Sequence, residues 1–387
     1  MPAPPTAPPT SLYVHVPFCV VKCGYCDFTS YVPDGDAALD LFLEGLRREL
    51  ELVALPAAPT SVFIGGGTPS FLDLGRLRRL FATLGEHVDL ARCREVTMEA
   101  NPESMTAAKA AVAREAGVNR LSIGVQSFAA HRLAFLDRAH DAAGTRAAYA
   151  AAREGGFANV SLDLMFGLPG QDAPEWERDL DEALALDPDH LSCYGLTFEP
   201  GTRLTRDLRQ GIVTANDADI DRDLLLRTRA RLAREGFHAY EISNFAGRGG
   251  PCEHNDHYWL QGDYAGVGPG AASHRQGVRW TNLKALDAWG EALRRGLPPV
   301  AEAETLTREQ RLREALWLGI RRADGVDLDG AAQRLGLAVP AAVAQALAAS
   351  TDEGLVNVDA GQVRLTEAGL PLADRVGERF LCASDDP

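Results

Sequence analysis

The sequence predicts a mixed α/β fold: a partial (β/α)6 barrel followed by a smaller C-terminal α+β unit of winged-helix-like type. Three observations carry this. Six short apolar runs stand between residues 12 and 196, amphipathic stretches of helical period separate them, and late in the chain helices precede the hairpin-like run LVNVDAGQVRLTEAG.

The six runs, at 12–16, 61–64, 95–99, 120–125, 159–165 and 190–196, are rich in β-branched or large apolar residues and read as strands. Between the first two, 36–54 places Leu39, Phe42, Leu43, Leu46 and Leu50 at helical spacing, and 74–88, 107–116, 145–154 and 174–186 repeat the pattern. Functional loops of parallel α/β folds gather at the carboxyl ends of the strands, so chemistry is expected after Val16, Ile64, Glu99, Val125 and Met165. The expected organisation is a disordered Pro-rich leader over 1–10, the barrel over 11–245, and a linker and binding-type segment over 246–304 that is rich in His, Tyr, Trp and Gly. A winged-helix-like unit is expected over 305–387, with two or three helices and a hairpin turning at Ala360 and Gly361.

Composition bounds the function. With 46% hydrophobic and 24% charged residues in 387, the chain has the make-up of a soluble globular protein with a sizeable core. A net charge of -15 opposes broad attraction to nucleic-acid phosphates. From Thr305 onward acidic residues at least match basic ones, and no basic stripe carries interleaved aromatics, so nucleic acid is not an expected partner. The start MPAPPTAPPT has neither the basic residues nor the apolar core of a targeting signal, and charged residues interrupt every apolar run, which points to the cytoplasm. Seven cysteines, three of them within eight residues, suit a metal or redox centre in a reducing compartment better than a disulfide framework.

Those three are Cys19, Cys23 and Cys26 in YVHVPFCVVKCGYCDF, directly after the first strand. Four irons of a [4Fe-4S] cluster normally take four thiolates, so three on one loop leave an iron open to another ligand. A zinc knuckle or unrelated buried thiols would use the same residues, but zinc sites usually pair CxxC motifs or add histidines at fixed spacing. His15, four residues upstream, is either a further ligand or a hydrogen-bonded core histidine at the end of an apolar strand.

CxxxCxxC with Tyr25 before its third cysteine resembles the radical S-adenosylmethionine (SAM) superfamily signature, and GGGTP at 65–69 resembles that superfamily's glycine motif. The resemblance implies a radical SAM barrel in which the open iron chelates the amino and carboxylate groups of SAM, and an electron from the cluster cleaves the sulfonium to a 5'-deoxyadenosyl radical. Over nearly the whole chain the sequence further resembles the family of oxygen-independent coproporphyrinogen dehydrogenases (HemN) and their relatives, the heme chaperones (HemW). That likeness places Tyr13, Gly66, Gly67, Thr68, Glu99, Gln126, Arg138 and Asp163 around SAM, with Phe28 beside the cluster loop.

Within this family the dehydrogenases carry a fourth cysteine two places after the third, where Phe28 stands here, whereas the chaperones follow the motif with an acidic residue and Phe, as Asp27 and Phe28 do. CEHNDHYW supplies a second chaperone-like element, HNxxYW, in which His254, Tyr258 and Trp259 are implied to meet heme, with His257 and Cys252 as nearby alternatives and packing of the C-terminal unit on the barrel as the other use of the segment. The resemblance therefore implies a heme chaperone with a [4Fe-4S] cluster, SAM and heme, whose partners are recipient hemoproteins and an electron donor; a homodimer is compatible with it. The alternative within the family is the decarboxylating dehydrogenase. Cys93 and Cys193 are expected to be ordinary buried residues, and Cys382 to lie in a mobile tail.

Overall fold

A computed structural model describes residues 9–382. Most of the leader expected over 1–10 lies outside the described residues; Thr10 within it donates its amide to the Asp263 carbonyl at 3.0 Å.

Six parallel strands stand in chain order: β1 (Ser11–Val16), β2 (Ser61–Gly66), β3 (Glu95–Ala100), β4 (Arg120–Gln126), β5 (Asn159–Phe166) and β6 (His190–Gly195). The connecting helices are α1 (Asp36–Leu52), α2 (Leu74–Gly85), α3 (Ala107–Glu115), the short α4 (Ala130–Phe135), α5 (Ala142–Glu154) and α6 (Ala173–Ala185). This is the barrel the periodicity predicts. Four helix starts are fixed by sequence chemistry: the side chains of Asp73, Thr106, Asp141 and Asp172 each accept an amide of the first turn, which satisfies donors that have no intrahelical partner.

Beyond β6 the chain adds α7 (Arg203–Arg209), α8 (Ala218–Arg234) and a short antiparallel pair, β7 (His238–Ala239) and β8 (Asn244–Ala246), on the β6 edge. Residues 246–304 then cross to the opposite edge. They hold α9 (Glu253–Trp259), β9 (Tyr264–Val267), β10 (Ala272–Arg275), β11 (Val278–Asn282), α10 (Leu286–Arg294) and β12 (Val300–Thr305). β9 pairs parallel with β1, and β10 to β12 follow antiparallel, giving one sheet of twelve strands among the described residues. Polar runs such as ASHR and VRWTN gave no apolar periodicity to announce these strands.

The added edge is locked to α1. Trp289 of α10 stacks on Phe42 at 6.0 Å, and Gly45 permits that approach, since a Cβ there would stand 2.2 Å from the Trp289 ring. The buried Glu49 carboxylate accepts the Gly268 amide at 2.7 Å, the Asn282 side chain at 2.6 Å and the Trp289 indole at 3.0 Å.

The C-terminal unit has its own apolar cluster, including Leu312, Leu316, Val343, Val363, Val376 and Phe380. It consists of α11 (Arg308–Gly319), β13 (Val326–Asp327), α12 (Leu328–Leu335), α13 (Ala341–Asp352), β14 (Val356–Asp359), β15 (Gln362–Leu365) and α14 (Ala373–Cys382). The β14–β15 hairpin turns where expected, with Ala360 and Gly361 both at positive φ (48° and 80°). Cys382, expected in a tail, is the exposed last residue of α14. Among the described residues no helix is long and apolar enough to cross a membrane.

Candidate functional site

The loop after β1 carries Cys19, Cys23 and Cys26, all free thiols, to the carboxyl ends of β2 to β6. All three line one cavity of about 400 Å³. Among the described residues no three Cys, His, Asp or Glu side chains are gathered to hold a single ion. Burial pushes the Cys26 thiol up to about 11 and raises Cys19 as well, so both are protonated until a metal displaces the proton.

A polar chain joins two of these thiols. Thr68 donates its hydroxyl toward Cys19 Sγ at 3.4 Å and accepts the Asn101 amide at 2.9 Å; Asn101 Oδ1 accepts Arg138 Nη2 at 2.8 Å, and Arg138 Nη1 reaches Cys23 Sγ at 3.5 Å. Arg138 also donates to the Gly124 carbonyl at 2.6 Å, while its buried Nε has no partner. Burial works against its charge, but Tyr25, Cys23 and Glu103 hold the guanidinium above its ordinary value.

Deeper in the same cavity stand Glu99 and Asp163. Glu99 accepts the Gly66 amide at 3.0 Å, and burial, followed by repulsion from Asp163, pushes its carboxyl up to about 7. Ser122 reaches both Asp163 oxygens at 3.0 Å, while burial raises that carboxyl. Such a pair holds a proton or accepts hydroxyl and amine donors. Gly67 fits only without a side chain, because a Cβ would stand 2.8 Å from the Phe18 and Val16 backbones.

Gln126, at the end of β4, has φ 66° beside a register shift between Gly124 and Gln126. A non-glycine residue holds that conformation at a cost of order 1–2 kcal/mol, which surrounding structure must offset. Gln126→Gly is expected to stabilise the fold by up to about 1 kcal/mol while weakening ligand uptake in the cavity. Urea unfolding beside a SAM titration checks this, and a destabilised variant contradicts it.

Of the positions expected around SAM, Gly66, Gly67, Glu99, Gln126, Arg138 and Asp163 line this cavity, as does Phe28, 61% exposed at its mouth. Thr68 touches the site through Cys19 and Asn101. Tyr13 stands behind it, bonded to His15 at 2.9 Å and packed on Phe63. His15 is a core histidine whose Nε2 bonds the Thr29 carbonyl at 2.7 Å. Sequence reasoning missed Asn101, although its place two residues after Glu99 at a strand end was a usable signal. It also missed the stretch from Tyr194 to Glu199 that forms the far wall.

The HNxxYW element forms α9. His254 is fully buried against Phe63, its Nδ1 bonded to Ser61 at 2.8 Å and its Nε2 to the Tyr258 hydroxyl at 2.9 Å, and burial lowers its pKa to about 3. Both nitrogens are engaged, so neither faces a ligand. Tyr258 and Trp259 line a second cavity of about 1100 Å³ between β6, α8, α9 and the C-terminal unit. Tyr194, Gly195, Leu196 and Thr197 line both this cavity and the one that holds the thiols.

Comparison with known proteins agrees with this architecture. The radical SAM superfamily profile matches residues 13–183, and the HemN C-terminal domain profile matches 306–372. Heme chaperone HemW of Mycobacterium tuberculosis is 40% identical over 384 residues, 98% of this chain and 96% of its own length. Heme chaperone HemW of Bacillus subtilis is 33% identical over 378 residues, 96% and 99% of the two chains. The structure of Escherichia coli coproporphyrinogen III oxidase (HemN), a radical SAM enzyme, superposes with a TM-score of 0.83 at 25% identity, covering 97% of this chain and 90% of that one. The superfamily implies a [4Fe-4S] cluster and SAM, and three free thiols on one cavity beside an unpartnered Arg138 nitrogen and a glycine cradle are a donor set that fits them. With relatives matched from end to end at these identities, the chain belongs to the radical SAM superfamily and, within it, to the HemW family.

Proposed function

We propose that this protein binds heme and passes it to recipient hemoproteins. In this reading Cys19, Cys23 and Cys26 hold a [4Fe-4S] cluster. Arg138 pairs with the SAM carboxylate, while Glu99, Gln126, Asp163 and the backbone of Gly66 and Gly67 face the rest of SAM. When bound, the two cofactors supply one-electron chemistry, fed by a low-potential electron donor in a reducing cytoplasm.

The observation that carries the reading is that the two cavities adjoin: the one lined by Tyr258 and Trp259 and the one lined by the three thiols have Tyr194 to Thr197 as a common wall. A volume of about 1100 Å³ with aromatic lining accommodates a planar macrocycle. Curated relatives named heme chaperone support it. The dehydrogenase reading draws on the HemN likeness, but Phe28 stands where a fourth cysteine is expected of those enzymes.

Two assays separate the readings. Cluster-loaded protein titrated with hemin is expected to shift the Soret band and saturate. Anaerobic incubation with SAM, dithionite and coproporphyrinogen III is expected to give no protoporphyrinogen IX, and its appearance would assign the decarboxylase instead.

A further inference from the structure

Gly24 stands between the second and third thiols of the loop, and it is held from three sides. Its carbonyl accepts the Leu204 amide at 2.9 Å, and its amide donates to the Leu136 carbonyl at 3.3 Å. The third side is a guanidinium. A Cβ on Gly24 would stand 2.5 Å from Arg203 Nη2 and 2.9 Å from its Cζ, so the arginine head lies directly on this glycine. The Cys23 carbonyl accepts the Cys26 amide at 3.2 Å, which makes Gly24 and Tyr25 the turn that spaces the two thiols. Tyr25 packs with Phe135, Leu196 and Phe198 on the buried Leu136 and Leu204.

Arg203 opens α7, and all three of its side-chain nitrogens have acceptors. Nε donates to Asp137 at 2.8 Å, Nη1 to Asp207 at 2.7 Å one turn along the helix, and Nη2 to the Phe135 carbonyl at 2.9 Å. A planar fork bonded at all three nitrogens cannot swing aside as a singly bonded cation can.

Two of those acceptors belong to the end of α4. There the Asp137 amide donates to the Ala134 carbonyl at 3.2 Å and the Arg138 amide to the Leu133 carbonyl at 2.9 Å, with Asp137 at φ 57°. This is a Schellman ending, whose left-handed position is usually taken by glycine. Here it is taken by an aspartate whose carboxylate Arg203 holds. The next residue is Arg138, which reaches back to Cys23 Sγ and Asn101 in the thiol cavity. One side chain therefore bears on the cysteine loop with its flat face and on the Arg138 turn with its donors.

We infer that Arg203 is a positioning residue: it registers the turn between Cys23 and Cys26 against the turn that aims Arg138, and so sets where the SAM carboxylate lies relative to the cluster. This rests on the cluster and SAM reading above. The test is a SAM titration of full-length, cluster-loaded protein, with iron content, circular dichroism and the electron paramagnetic resonance of the reduced cluster as further readouts. Arg203→Ala and Arg203→Met are each expected to keep the parent's iron content and dichroism, to bind SAM about tenfold more weakly, and to lose the change that SAM makes in the resonance of the parent at equal concentration. Gly24→Ala, whose Cβ displaces the guanidinium, is expected to weaken SAM binding similarly. Added to Arg203→Ala it should cost little more, because the space is then empty. If both Arg203 variants bind SAM as the parent does, or if the Gly24 and Arg203 effects multiply in the double variant, the assignment of Arg203 is wrong and the SAM reading survives. If the Arg203 variants lose iron together with SAM affinity, Arg203 serves the cysteine loop alone and its link to Arg138 is wrong. If the parent carries its iron yet binds no SAM, the SAM reading fails and this inference with it.

Discussion

Replacing any one of Cys19, Cys23 and Cys26 with Ala is expected to abolish assembly of the iron–sulfur cluster, taking bound iron from about four per chain to background. The expectation follows from the ligand number of the proposed cluster: in that reading one iron already lacks a protein thiolate, and removing another leaves two irons unsupported. Iron and sulfide analysis after anaerobic reconstitution, with the broad absorption near 400 nm, reads it directly. The fold should persist. These thiols sit on the loop between β1 and α1, outside the apolar cluster that spans the barrel, so circular dichroism of the variants should match the parent. A Cys→Ala variant that retains a full complement of iron and sulfide would show that the three thiols are not the cluster ligands. Cys93→Ala provides the contrast, since that thiol is buried and bonded to the Asp89 carbonyl far from the cavity, and full loading is expected.

The second large effect lies in Glu49. Its carboxylate gathers three donors from residues 268–289 onto α1, so it fastens the added sheet edge to the barrel. Glu49→Leu leaves the Gly268 amide and the Trp289 indole without this acceptor, and the expected loss is roughly 3–5 kcal/mol in urea unfolding. The pH dependence has a definite sign. Burial pushes this carboxyl up to about 7, opposed by the three hydrogen bonds, against about 4.3 in the unfolded chain. Between these values the folded state binds more protons than the unfolded state, so the native protein loses stability as pH rises through this window and levels off above it. The Leu variant lacks that slope. Its deficit relative to the parent should therefore narrow between pH 5 and pH 8; a deficit that stays constant over this range would mean that Glu49 is ionised throughout.

How far the sequence could be read depended on whether a feature was local. The six barrel strands announced themselves because buried parallel strands are continuous apolar runs, and the cysteine loop because three thiols close in sequence imply one inorganic core. The β14–β15 hairpin was equally local, since Ala360 and Gly361 specify its turn. Asn101 was missed because its role is relational: only the fold brings Thr68, Asn101 and Arg138 from three different βα loops into one polar chain between Cys19 and Cys23. The motif histidine shows the opposite effect. Its residue type suggested an iron ligand, yet the packing of α9 against β2 uses both of its nitrogens in bonds to Ser61 and Tyr258.

By itself, then, the sequence determined the α/β alternation, the loop that carries the thiols and the family to which the chain belongs, because periodicity, spacing and motif are properties of neighbouring residues. Tertiary structure alone decided that residues 264–305 extend the sheet beyond β1, that Glu49 secures this edge, and that both nitrogens of His254 are used inside the fold. Those outcomes depend on which donors and acceptors meet across more than two hundred positions of chain, as Glu49 and Asn282 do, and such pairings leave no periodic trace.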